Sequence, residues 1–119
     1  MTNNTTIATV NHIPTTIDDI QVGDIFCSTN PYYGTSVAFY QVVSRTKKFV
    51  TVKRMKDQET SNEWDRFTGT TIPTTSLEDR EYRHKISESK YDGRIRFDTG
   101  LNIYAYPWDG TPQKYDRGY

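Results

Sequence analysis

Between residues 22 and 55 three apolar runs, Ile25-Phe26, 37–43 and 49–55, are separated by two turn-rich segments. Runs this short, cut this way, constrain the chain to short antiparallel strands. In the second run Val37, Phe39, Gln41 and Val43 fall on one face, and Ala38, Tyr40, Val42 and Ser44 on the other, because strand side chains alternate. The third run sets Lys48, Val50, Val52 and Arg54 against Phe49, Thr51, Lys53 and Met55. A β-hairpin through Thr46-Lys47 joins the two, with Val50 and Val52 directed to the core and Phe49, Thr51 and Lys53 more exposed. Residues 29–36 hold Asn30-Pro31 and Gly34 and read as a loop that carries Tyr32 and Tyr33.

The rest of the chain follows the same grammar. Residues 57–75 are polar, punctuated by Gly69 and Pro73 and anchored by Trp64 and Phe67, with a short strand over 63–67. A strand over 80–86 precedes Tyr91-Asp92-Gly93-Arg94, a hairpin signal because tight turns favour residues that tolerate positive φ. Ile95 and Phe97 then point inward. Gly100 opens a last strand in which Leu101, Ile103 and Ala105 alternate with Asn102, Tyr104 and Tyr106, and Pro107-Trp108-Asp109-Gly110 closes the body. Residues 1–16 are expected as a flexible arm, with an added edge strand as the lesser alternative, 17–110 as a single β-barrel domain and 111–119 as a polar tail. At 119 residues one core is the norm. Five or six short strands without a helix of three turns predict an all-β fold, a small antiparallel SH3-like barrel. An OB-like barrel suits the chain less well, since it needs longer strands and a helix between the third and fourth.

No motif carries catalysis. GxxxxGK[ST], GxGxxG and GxSxG are absent, so neither phosphate cradles nor nucleophile elbows have support. His12 in the arm and His84 on a charged strand have no partner at motif spacing and read as ordinary polar positions. Cys27 is the lone cysteine, which excludes an intramolecular disulfide and cysteine-rich zinc motifs. The pairs Asp18-Asp19 and Glu78-Asp79, and the set Asp57, Glu59, Glu63 and Asp65, lack the spacing of a calcium loop. No cofactor, metal or enzymatic activity is expected. Residues 1–10 lack the cationic start and apolar core of a secretory signal, and no run approaches a membrane span, so a soluble cytoplasmic protein without a membrane partner is expected.

Fifteen Lys and Arg balance fifteen Asp and Glu, so the whole-molecule field recruits no polyanion by itself. Locally, Arg45, Lys47, Lys48, Lys53, Arg54 and Lys56 follow one another without an acid. Lys48, Phe49, Lys53, Arg54 and Lys56, with Arg94 and Arg96 on a second hairpin, form a candidate nucleic-acid-binding surface. The competing interpretation is a solvated strand protected from aggregation by its lysines. Aromatic residues make up 13% of the chain against a hydrophobic share of 34%, more rings than so small a core buries. Tyr32, Tyr33, Tyr40, Tyr104, Tyr106 and Trp108 are therefore candidate partner-binding residues, since Tyr and Trp anchor interfaces; the equal alternative is that the rings cover the open ends of the barrel with their hydroxyls in water.

The stretch also resembles a group of small phage- and prophage-borne proteins whose signature is VGDIFxSSWGYDQTNVDFYQVV, followed by a basic Val-rich strand and a late Trp-Asp-Gly. The match runs through Val22-Gly23-Asp24-Ile25-Phe26, Ser28, Tyr32, Thr35, Val37, Phe39-Tyr40-Gln41-Val42-Val43, Val50-Thr51-Val52-Lys53-Arg54 and Trp108-Asp109-Gly110. Departures fall in one loop, where the group's Trp-Gly is Asn30-Pro31 and its Asp-Gln is Tyr33-Gly34. The resemblance implies a phage-type accessory protein and agrees with an SH3-like barrel, but supplies no activity. The expected function is that of a non-enzymatic module, monomer or homodimer, that engages a host or phage protein and blocks a host process such as a defence nuclease. The alternative is a nucleic-acid-binding barrel that uses the basic strand.

Overall fold

Strands that are apolar on both sides need cover on both sides, and that requirement shapes the molecule. The computed structural model of the chain describes residues 6–32, 34–60, 68–100 and 102–116. After a 3-10 turn at Ile17–Asp19 come β1 (Ile25–Asn30), β2 (Ser36–Arg45), β3 (Phe49–Glu59), β4 (Thr68–Lys85), β5 (Ser87–Glu88), β6 (Ile95–Asp98), β7 (Tyr104–Pro107) and β8 (Gln113–Asp116). They form one antiparallel sheet in the order β5-β6-β7-β1-β2-β3-β4-β8, which does not close on itself. The fold is all-β, with eight strands among the described residues rather than five or six. The additional elements are short and polar: β5 has two residues and β8 lies in the expected tail, so no apolar run announces either.

Each face of the sheet carries its own core. On one, Phe26, Val42, Val50, Val52, Ile95, Phe97 and Ala105 are buried together with Ile20 and Ile86. Phe97 lies at its centre, with ring centroids 5.2 Å from Phe26, 5.7 Å from Tyr40 and 4.7 Å from the His84 imidazole. On the other face Ile25, Val37, Phe39, Met55 and Trp108 pack with Ala8. The register Phe26↔Tyr40 and Cys27↔Phe39 shows how neighbouring residues serve opposite cores. As the spacing predicts, the β2–β3 turn closes with the Thr46 N–H donating to the Phe49 carbonyl, and Val50 and Val52 are buried.

Several expected loops and tails belong to the sheet. The Ala8 N–H donates to the Pro73 carbonyl and the Thr75 N–H to the Thr6 carbonyl, and Ala8 is buried, so residues 6–8 dock where a free arm was expected. Gln113–Asp116 pairs with the start of β4. Thr35 and Asp116 also exchange two backbone hydrogen bonds, which draws β8 toward the entry of β2. Gly69 and Pro73, expected to break the chain, lie within β4. Gly69 is there because a Cβ would fall 2.5 Å from the Tyr115 hydroxyl oxygen, and Pro73 because the strand's register is irregular opposite it, between Met55 and Asp57. Gly100, at φ 115°, sits in the β6–β7 turn instead of opening a strand. The expected strand over 63–67, with Trp64 and Phe67, lies outside the described residues, as do Tyr33 and Leu101.

His12 fastens the docked segment. Its Nδ1 lies 2.9 Å from Asp24 Oδ1 and its Nε2 3.2 Å from Asp19 Oδ1, an arrangement in which both nitrogens donate only as imidazolium. Asp24, 4% exposed, also accepts from the Gln21 N–H, and Asp19 from the Thr15 N–H. The bond to Asp24 raises the His12 pKa above the ordinary imidazole value, although desolvation opposes it. His84 is the opposite case. Stacked between Tyr82 and Phe97, it is held below the ordinary value by burial.

The two histidines therefore act on stability with opposite signs. The His12 contribution is complete below the unfolded imidazole pKa and is lost as pH rises through the higher folded value. The His84 contribution is complete above the unfolded value and is lost as pH falls toward the lower folded one. Thermal melts between pH 5 and 9 are expected to show His12→Asn lowering Tm more on the acid side than the alkaline side, and His84→Phe flattening the acid-side decline; pH-independent effects would refute both assignments. Phe97→Ala, at a fully buried ring, is expected to cost about 3–5 kcal/mol in urea unfolding, and a loss below about 1 kcal/mol would contradict its central place.

Candidate functional site

On β7 the buried Ala105 faces Phe97, so Tyr104 and Tyr106 stand on the opposite face. Cys27 of β1 is in register with Tyr106 on that face. Just past β7, the Trp108 N–H donates to the Ile25 carbonyl, its Nε1 donates to the Thr111 carbonyl, and its ring meets Phe39 edge-on at 5.6 Å. The loop after β1 brings up Pro31 and Tyr32, with the Tyr32 N–H donating to Asn30 Oδ1. Together these enclose an open cleft of about 490 Å³, lined also by Thr29, Arg94, Asn102, Ile103, Pro107, Asp109 and Gln113.

The cleft's electrostatics are set by stacked arginines. The Arg94 guanidinium carbon lies 4.3 Å from the Tyr106 ring centroid, and that of Arg96 lies 3.7 Å from the Tyr104 centroid. Arg96 Nη1 donates to the Tyr106 hydroxyl at 3.1 Å, while its Nε is buried without a hydrogen-bond partner. At the rim Asp109 Oδ1 accepts from both the Thr111 hydroxyl and the Thr111 N–H, which hold its carboxyl below the usual range. The Cys27 thiol is pushed up to about 12, mainly by burial and further by the Asp109 charge. It stays protonated near neutrality, the reverse of what a nucleophile needs.

Of the partner-binding candidates, Tyr32, Tyr104, Tyr106 and Trp108 converge on this cleft. Trp108 contributes as its floor, only 4% exposed, whereas Tyr32 is 63% exposed at its mouth. Tyr40 does not join them: it packs edge-on against Phe97 on the far side of the sheet, because its parity matches Val42 and not Phe39. Tyr33 lies outside the described residues.

The nucleic-acid candidates do not form one surface. Three strands separate β3 from β6 in the sheet order, and Arg94 lines the tyrosine cleft while Arg96 lies over Tyr104 beside it. Lys53 is in register with Gln41 and Glu81, and Arg54 with Tyr40, so alternation sends them to opposite faces. Phe49 lies beneath the Arg83 guanidinium at 4.0 Å. Lys48 and Lys56 are exposed, and Arg45 is occupied by the Ile17 and Ile20 carbonyls, each at 2.8 Å.

Thr29, Asn102, Asp109 and Gln113 were not anticipated from the sequence. The alternation of Arg94 and Arg96 opposite Tyr104 and Tyr106 across a glycine turn was an available signal for the cleft, but Gln113 in a polar tail had none. Comparison with protein-family models, curated proteins and solved structures finds no match in any of the three. Among the described residues no group of three or more His, Cys, Asp or Glu could hold a metal ion, and no helix is long and apolar enough to cross a membrane. With its raised pKa, Cys27 is expected to react with a disulfide reagent at pH 8 at least a hundredfold more slowly in the native protein than in denaturant, roughly in proportion to its thiolate fraction. Equal rates would contradict the burial of the thiol.

Proposed function

We propose that the chain is a phage-type accessory protein that works by binding, without catalysis, a host or phage protein, and that it inhibits a host process such as a defence nuclease from within the host cytoplasm. What carries the binding reading is that Tyr32, Tyr104, Tyr106 and Trp108, from two separate parts of the sheet, meet in one cleft beside Arg94. Tyrosine, tryptophan and arginine are the residues that anchor protein interfaces, since they offer large rigid area and a polar handle together. The phage assignment rests on the resemblance of residues 22–55 and Trp108-Asp109-Gly110. The curled sheet fits an opened SH3-like barrel, and the bridge between Thr35 and Asp116 supports that description by drawing two distant strands together.

Nucleic acid is the weaker alternative because its basic residues are divided between faces and strands. Capture from host lysate is expected to recover a defined protein, with affinity falling about tenfold or more for Tyr32→Ala and for Tyr106→Ala. Trp108 stays intact in that experiment, since its substitution would disturb the core. Unchanged capture by both variants would exclude the cleft. Salt-sensitive binding of single-stranded DNA abolished by Lys53→Glu would favour the alternative.

A further inference from the structure

Among the described residues Arg94 in the cleft and Arg96 beside it make no ion pair, although the charges of Asp92 and Asp109 act on Arg94 from farther off. His12 pairs with Asp19 and Asp24, whereas among the described residues neither Arg94 nor Arg96 has a carboxylate within 4.0 Å. Each guanidinium is instead held over a tyrosine ring, a contact that takes none of its N–H donors. Arg96 spends part of that edge on the Tyr106 hydroxyl, fixing the ring on which Arg94 lies. The nearby acids act on Arg94 through their charge but make no ion pair with it. Asp92 Oδ1 accepts from the Arg94 N–H and Asp109 Oδ1 accepts twice from Thr111, so both carboxylates are engaged in their own turns. Arg94 is exposed and lines the cleft, so its N–H donors are accessible from it.

We infer that the cleft selects an acidic protein segment: a carboxylate of the partner meets the edge of Arg94, and an adjoining aromatic or apolar side chain enters between Tyr32, Tyr104 and Ile103. This inference rests on the protein-binding reading above and specifies its chemistry. A guanidinium fixed on a ring presents parallel donors that match a carboxylate two-for-two, and pre-orientation removes much of the entropy cost of that bond. A nucleic-acid backbone fits less well. It asks for several cations along a track, and β3, with half-buried Lys53 and exposed Lys56, is separated from β6 by three strands in the sheet. Arg96 acts here as a positioning residue that works through Tyr106.

The test uses the full chain and three probes: a short peptide of alternating Glu and Phe, the same peptide with Gln for Glu, and a single-stranded thymidine oligonucleotide, each titrated by calorimetry. The Glu-Phe peptide is expected to bind about tenfold or more tightly than the Gln-Phe peptide. That gap is expected to close in Arg94→Ala and to persist in part in Arg94→Lys, which keeps the charge without the planar fork. Equal binding of the two peptides overturns the acidic preference while leaving a cleft that docks protein through its rings. A gap that survives Arg94→Ala overturns the assignment to Arg94. Failure of both peptides to bind overturns the inference, and the capture experiment with the Tyr32 and Tyr106 variants then still decides the binding reading independently. Tighter binding of the oligonucleotide than of either peptide overturns both.

Discussion

Burial on both faces of β1, β2 and β3 is the constraint on which the rest of the structure depends. Phe26, Val42 and Val52 need cover on one side, and Ile25, Phe39 and Met55 need it on the other. A lone sheet cannot supply both, so the remaining segments are recruited as covers. β6 and the end of β4 fold over the first core, where His84 stacks on Phe97. Ala8, Val10, Leu77, Trp108 and Tyr115 cover the second. Two different cores also fix the register firmly, because a slip by one residue would exchange every side chain between them. The irregularity between Val42 and Ser44 changes the alternation only at the strand's end, where the sheet turns.

This two-sided design governs the charges. With both faces covered by rings, cations find π surfaces and carbonyls more readily than carboxylates. Arg80 lies over Tyr82, Arg83 over Phe49, Arg94 over Tyr106 and Arg96 over Tyr104, while Arg45 is tied to backbone oxygens. Such contacts are worth about 0.5–1 kcal/mol each when exposed, comparable to a surface ion pair, and they fix the orientation of a planar group better. The acids are thereby left for turns, as at Asp92, Asp98 and Asp109. Net neutrality in the sequence thus conceals arginines held, among the described residues, over rings and not in ion pairs.

What the sequence disclosed follows from the same physics. Alternation is a local property, so the assignment of Val50, Val52, Ile95 and Phe97 to the interior was readable along a single strand. Strand order is not local. Arg94 and Arg96 resembled the Lys48 to Lys56 stripe in composition, yet three intervening strands separate them, and no run of residues encodes that distance. Tyr40 looked like the other tyrosines but shares parity with Val42, so its place was legible once both faces were known to be buried. Residues 6–8 and 113–116 gave only a weak apolar signal, Ile7-Ala8 and Tyr115, because they join the sheet largely through backbone hydrogen bonds, which any composition can make.

The cleft joins a stiff part of the molecule to a loop. Its floor and one wall are tied into the sheet: Trp108 is held by two hydrogen bonds and by Phe39, and Tyr106 is fixed through Arg96 and its register with Cys27. Its other wall is Tyr32, exposed in the loop after β1. On the proposed phage-type reading this division is informative. The residues shared with the look-alike group include Tyr32 and Trp108-Asp109-Gly110, whereas the departures, Asn30-Pro31 and Tyr33-Gly34, flank Tyr32 on both sides. Changes there would move one wall relative to a fixed arginine and a fixed floor. A related chain could then retain the docking chemistry and alter the partner by reshaping that loop alone, without disturbing either core.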